Sequence, residues 1–180
     1  MPNYRRADIK GGTYFFTVNT FFRRPILTDA RCRAALRAAI ESTRTQAPFD
    51  ILAWVLLPDH LHAIWRLPEE DADFSLRWSL IKQQTSRACE DSLPRLPMSE
   101  SRQKRRESTL WQRRFWEHLI RDETDLSRHV DYLHYNPVKH GYVARAADWP
   151  YSTFHRYVST GIYPQDWAAD PGTAGGEYGE

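Results

Sequence analysis

The sequence predicts an α+β fold, a ferredoxin-like split β-α-β sandwich: an antiparallel sheet of four to five strands, helices on one face, and a further helix after the last strand. Three observations predict it. Strand-like runs rich in aromatic and β-branched residues recur at about 13–19, 51–57, 60–65 and 110–120. Apolar stripes at helical spacing fall after the first of these runs and after the third, giving the order β-α-β-β-α-β. Between the second and third runs only Pro58-Asp59 intervenes, a tight connection.

In order, Tyr4-Arg5-Arg6 opens as a basic arm, broken by Gly11-Gly12 from the strand Thr13-Tyr14-Phe15-Phe16-Thr17-Val18-Asn19. Thr28 or Asp29 can cap a helix running to about Thr45, with Ala35, Leu36, Ala39 and Ile40 as its apolar stripe. Pro48-Phe49-Asp50 resets the chain into the strands at 51–57 and 60–65. Caps at 71–75 start a second helix, to about Cys89, on which Phe74, Trp78 and Ile81 repeat at helical spacing. Residues 92–109, with two prolines, several serines and a basic run, read as a mobile basic loop. The stretch 110–120 alternates as a fourth strand, and Thr124 or Asp125 caps a helix that Pro137 should stop. An aromatic-rich tail follows, with Trp149, Tyr151, Phe154, Tyr157, Tyr163 and Trp167; of these Trp149, Tyr151 and Phe154 are expected to pack on the domain.

The chain's 180 residues suffice for one domain with a full core: residues 1–167 are expected to form it, and the acidic, Gly-rich 168–180 a flexible tail. A 41% apolar, 13% aromatic composition with seven Trp argues against disorder. No apolar run approaches the ~20 residues of a membrane helix, and the N-terminus lacks the apolar core of a signal peptide. With only Cys32 and Cys89 there is no disulfide framework or cysteine cage, and a cytoplasmic location is expected. Charge is uneven: up to Arg37 the only acidic residues are Asp8 and Asp29, and Glu107 is the only one between Arg102 and Arg114. Such basic segments suit a polyanion, though most basic runs are simply solvated faces.

The chemistry concentrates in two stretches. In Leu57-Pro58-Asp59-His60-Leu61-His62, residues two apart on a strand share a face, so both imidazoles can hold one divalent metal. Alone, a His-x-His pair reads equally as two satisfied histidines on a polar face. The second stretch, His129 to Gly141, places Tyr132 and Asn136 four apart on one helix face. A tyrosine one turn from an amide oxygen, facing a His-x-His strand, sets a nucleophile beside a metal site. Tyr135 is rotated about 300° from Tyr132 and competes weakly for that role. His134 lies off that face, at the surface or core edge, and His118 and His129 either sit near the site or bridge backbone groups.

Leu57-Pro58-Asp59-His60-Leu61-His62, Trp111-Gln112-Arg113-Arg114-Phe115-Trp116-Glu117-His118, and Tyr132-Leu133-His134-Tyr135-Asn136-Pro137-Val138-Lys139-His140-Gly141 together resemble the REP-associated tyrosine transposases. These are single-tyrosine relatives of the IS200/IS605 insertion-sequence transposases, and the resemblance spans Tyr4 to about Trp167. It implies a ferredoxin-like HUH endonuclease that cleaves and rejoins single-stranded DNA at the hairpins of repetitive extragenic palindromes (REP). Position by position, it implies His60 and His62 as the metal-binding pair, Tyr132 as nucleophile and Asn136 as a further metal ligand. Mg²⁺ or Mn²⁺ suits that mixed N/O set, although imidazole also accepts Zn²⁺. The expected product is a 5′-phosphotyrosine and a free 3′-OH.

Phosphate contacts are expected from Arg5, Arg6, Arg113, Arg114, Arg121 and Lys139. The expected assembly is a monomer or homodimer, with no membrane partner. One rival is a non-catalytic ferredoxin-like module that grips single-stranded nucleic acid; it leaves the joint placement of His60, His62, Tyr132 and Asn136 unexplained. A second, a His-x-His hydrolase on a barrel scaffold, needs about 250 residues. A third, a domesticated and inactive relative, sits poorly with intact motif residues.

Overall fold

The structure, a computed structural model, describes residues 8–89, 91, 97, 100–104 and 108–167. Arg5, Arg6, the tail 168–180 and most of the 92–109 segment lie outside them.

Four strands, β1 (Thr13–Asn19), β2 (Asp50–Leu56), β3 (His60–Arg66) and β4 (Trp116–Leu119), form one sheet in the order β2-β3-β1-β4. All three pairings are antiparallel, the split β-α-β topology expected from the element order. The register sets Thr17 opposite His62, Asn19 opposite His60 and Phe15 opposite Ile64.

The period of two in β1 and β3 divides the core into two layers. Tyr14, Phe16, Val18, Leu61, Ala63 and Trp65 face helices α1 (Ala30–Gln46) and α2 (Phe74–Cys89), meeting Leu36, Ala39, Phe74, Trp78 and Ile81. Asp29 caps α1, its carboxylate accepting from the Arg31 and Cys32 amides. In the first turn of α2, Arg77 is 1% exposed and gives its charge to Asp71 at 2.8 Å and to the Pro48 and Asp73 carbonyls. A buried guanidinium persists only with such full pairing.

On the opposite face, Phe15, Ala53, Val55, Leu57 and Ile64 pack under α4 (Glu123–Lys139). The C-terminal segment seals this layer. Phe154, at the start of α5 (Phe154–Ser159), is wholly buried, and Tyr163 and Trp167 stack at 4.5 Å. Trp149 Nε1 donates to the Leu56 carbonyl, and the Arg33 guanidinium lies over the Tyr151 ring. The tail aromatics are therefore structural, as expected of Trp149, Tyr151 and Phe154.

Three elements differ from the sequence reading. β4 covers only Trp116–Leu119 rather than 110–120, because Leu110 and Trp111 pack into the core beside an isolated Thr20–Trp111 bridge. Within the expected loop, Glu100–Lys104 forms a short helix, α3. Helix α4 begins at an Asp122 cap and continues through Pro137 to Lys139. Proline's fixed φ is helical, so in the last turn the missing N–H is its main cost. Among the described residues no helix is long and apolar enough to cross a membrane.

Candidate active site

His60 and His62 open β3 on the face beneath α4, and both are wholly buried. Their ring centroids are 4.9 Å apart and nearly perpendicular. A polar side chain in that position needs partners. His60 Nδ1 meets Asp59 Oδ1 at 2.7 Å, and His62 Nδ1 meets Thr17 Oγ1 at 2.9 Å. Both Nδ1 atoms are thus engaged, and metal-competent imidazoles are oriented in this way, presenting Nε2 to the ion.

Asp59 is itself held. Arg23 Nε approaches its other oxygen at 2.8 Å. Burial alone would raise the Asp59 pKa, but the His60 hydrogen bond and the His60 and Arg23 charges hold it below the usual carboxylate range. The Arg23–Asp59–His60 chain therefore keeps a carboxylate behind the imidazole.

Tyr132 lies on the face of α4 turned to the sheet, 1% exposed. Its ring centroid is 5.4 Å from His62 and 6.2 Å from Phe15. Lys139 Nζ donates to its hydroxyl at 3.1 Å and sits 4.9 Å from its ring centre. Asn136, one turn on from Tyr132, is wholly buried. Beyond the helix, the exposed His140 places its ring 5.2 Å from that of His60.

The structure thus brings His60, His62 and Tyr132 together within one chain, with Asn136 on the same helix. Tyr135 is half-buried. His134 is off the Tyr132 face but not at the surface or core edge. It is wholly buried, Nε2 meets Thr153 Oγ1 at 2.9 Å, and burial pushes its pKa down to about 3. Arg113, Arg114 and Arg121 are exposed. Lys139, expected at a phosphate, is directed at the phenol.

Sequence reasoning missed four residues here. Thr17 becomes a partner of His62 only through the β1–β3 register, which no spacing in the chain announces. Asp59 was read as a turn residue, although its adjacency to His60 was a usable signal. Arg23 and His140 carried no local pattern.

A second histidine cluster lies across Phe15, whose ring is 5.3 Å from His62 and 4.9 Å from His129. His118, Asp125 and His129 bring one ligand atom each within 4.8 Å of one another. His118 Nε2 meets Asp125 Oδ2 at 2.8 Å, His129 Nδ1 donates to the Asp125 carbonyl, and the two rings stack at 4.5 Å. Burial would raise Asp125, but His118 and the Arg121 amide hold it low; burial pushes His129 down. These groups already satisfy one another, which suits bracing β4 to α4.

The family model described as "Transposase IS200 like" matches residues 9–136, a span that contains His60, His62, Tyr132 and Asn136. The chain is 49% identical over 170 residues to a REP-associated tyrosine transposase of Escherichia coli K12, covering 94% of this chain and 93% of that protein. A Haemophilus influenzae protein, provisionally given the same name, is 48% identical over 174 residues, covering 95% and 96%. A solved structure of a REP-associated tyrosine transposase bound to a REP hairpin superposes with a TM-score of 0.84. It is 48% identical and covers 100% of this chain and 98% of that one.

Proposed function

The chain belongs to the IS200-like transposases and within them to the REP-associated tyrosine transposases, enzymes of DNA transesterification; from that premise we propose that it cleaves and rejoins single-stranded DNA at REP-type hairpins through Tyr132. The observation that carries this reading is the Tyr132 ring 5.4 Å from His62, with the Lys139 ammonium on its hydroxyl.

In the cleavage step the Tyr132 oxygen forms a bond to the scissile phosphorus and the bond to the 3′ oxygen breaks. The proton lost by the phenol is balanced by the one the 3′ oxygen gains. Tyrosine is a poor nucleophile at neutral pH, its ordinary pKa being about 10. Lys139 stabilises negative charge as it develops on the phenol oxygen. Being exposed, Lys139 also marks the edge of α4 by which a phosphate reaches the otherwise buried phenol. The resulting 5′-phosphotyrosine keeps the phosphodiester energy, so an attacking 3′-OH reverses the step and joins strands.

The donor set suits a divalent cation such as Mg²⁺ or Mn²⁺. His60 and His62 would hold it through Nε2, since Asp59 and Thr17 take both Nδ1 atoms, and Asn136 would add an amide oxygen. When bound, the cation supplies charge neutralisation at the phosphate. Asp59 and Thr17 orient the imidazoles, and Arg23 holds Asp59 in place. Arg113, Arg114 and Arg121, with Arg5 and Arg6, supply phosphate contacts, and residues 1–167 act as one catalytic unit in the cytoplasm.

The test is formation of a covalent protein–DNA adduct with a single-stranded REP-type hairpin and Mg²⁺ or Mn²⁺. The adduct should form with the unsubstituted chain and vanish in Tyr132→Phe. Hairpin binding without an adduct would instead identify a non-catalytic binding protein.

A further inference from the structure

Phe22 stands in the 3-10 turn Phe21–Arg23 that follows β1, and it is 73% exposed. Its backbone is left-handed, with φ 57° and ψ 25°, and that of Arg23 is left-handed too, with φ 53°. Two consecutive bulky residues in that region are strained, and such strain persists only where the surroundings over-determine it. Here they do. The Thr20 amide and hydroxyl both donate to the Asp59 carbonyl, the Phe21 amide to the Leu110 carbonyl, and the Arg24 guanidinium to the Thr109 carbonyl. The turn therefore holds an aromatic ring out in water with the Phe21 ring beneath it at 4.1 Å.

Its place in the fold gives that exposure a meaning. Arg23, the next residue, is ion-paired to the carboxylate that orients His60. The other large exposed aromatic among the described residues is Tyr142, 43% exposed. It follows Gly141, whose φ of 72° turns the chain out of α4, and its ring stacks on Trp149 at 5.5 Å. Tyr142 also lies near the histidines: its ring is 6.0 Å from that of His140, which in turn is 5.2 Å from that of His60. Two rings left in water thus lie near the Asp59–His60 end of the candidate active site, Phe22 adjacent in the chain to the arginine that pairs with Asp59 and Tyr142 beside His140.

We propose that Phe22 and Tyr142 are stacking platforms for unpaired bases of the DNA strand flanking the scissile phosphate. This rests on the single-stranded DNA reading above and deepens it by naming where the bases lie. Aromatic faces beside cationic side chains are how single strands are held without a paired partner, since every base has a stackable face. Duplex DNA offers no such faces, so the platforms select an unpaired flank.

The experiment is anisotropy binding of a labelled hairpin with a short unpaired flank, compared with the same hairpin whose flank is annealed to a complement. Phe22→Asn should weaken binding of the unpaired-flank hairpin by about fivefold to a hundredfold, the range of one lost base stack. Asn tolerates the left-handed backbone, so its thermal unfolding midpoint should hold or rise, which excludes misfolding as the cause. Phe22→Trp should retain affinity, and Tyr142→Leu should weaken it. With the flank annealed, all variants should bind alike. An abasic site under Phe22 should weaken the unsubstituted protein and add nothing to Phe22→Asn. Tight hairpin binding that Phe22→Asn and Tyr142→Leu leave within twofold would overturn the platforms while leaving the single-stranded DNA reading intact. If the unsubstituted protein does not bind the hairpin at all, that reading fails and the platforms with it.

Discussion

An ammonium 3.1 Å from a phenol oxygen lowers the cost of making that oxygen a nucleophile; one that merely touches phosphate does not. The two roles separate in kinetics. Lys139→Met should slow adduct formation at saturating hairpin by about 10²-fold, the scale of a lost charge-stabilising donor, with hairpin affinity little changed. Lys139→Arg should recover part of the rate, since it keeps the charge but alters the geometry. A loss confined to affinity would return Lys139 to the phosphate contact expected of it from the sequence. Asp59 is the matching residue beside the proposed metal ligands. Asp59→Asn keeps the shape but removes the charge behind His60, and metal affinity should fall about 10- to 100-fold by titration calorimetry. The sequence made His60, His62 and Tyr132 legible because their chemistry travels with short spacings on single elements. Thr17 was not legible, because it meets His62 only across 45 residues of chain.

At the scale of elements, α4 has two faces with different tasks. One carries Tyr132 to the sheet, and another buries His134 against Thr153 and the tail aromatics. Burial keeps His134 neutral in the folded chain, with a pKa of about 3, whereas its ordinary value is about 6.5. Below pH ~6.5 the unfolded chain therefore binds a proton that the folded chain refuses. The stability is complete above that pH and is lost as pH falls toward 3, at up to about 1.4 kcal/mol per pH unit. His129 acts in the same direction. Asp59, Asp71 and Asp125, all held low, add their own losses only near and below their usual value of about 4. Urea midpoints should thus decline between about pH 6.5 and pH 4.5, and His134→Gln should flatten the decline while preserving a hydrogen bond to Thr153. A histidine at helical spacing gives no hint of this in sequence, because its environment is made by a segment 19 residues downstream. The ends of α1 and the whole of β1 were legible, since Asp29 is a strong cap and β1 is a run of aromatic and β-branched residues; β4 was not, because buried side chains outside a ladder alternate like a strand.

For the molecule as a whole, the sheet keeps two jobs apart. Its α1–α2 face supplies a conventional apolar core, and its α4 face holds the histidines and the phenol. Because His62 and Tyr132 meet within one chain, a mixture of His60→Ala/His62→Ala and Tyr132→Phe proteins should form no more adduct than either alone. Recovery on mixing would show the tyrosine acting in a partner's site. If the exposed Arg113, Arg114 and Arg121 make the proposed phosphate contacts, hairpin affinity should drop by more than about tenfold between 50 and 200 mM salt. The layered architecture was legible from the order of periodicities; the pairing of its faces with chemistry required the register.

In the proposed cleavage the oxygen of Tyr132, and no other group, takes the 5′ phosphate. Protease digestion and mass spectrometry of the covalent adduct test it directly. The residual nucleotide should sit on the peptide that contains Tyr132, with fragment ions placing it on that residue. A nucleotide mapped to Tyr135 or to any residue outside α4 would contradict it.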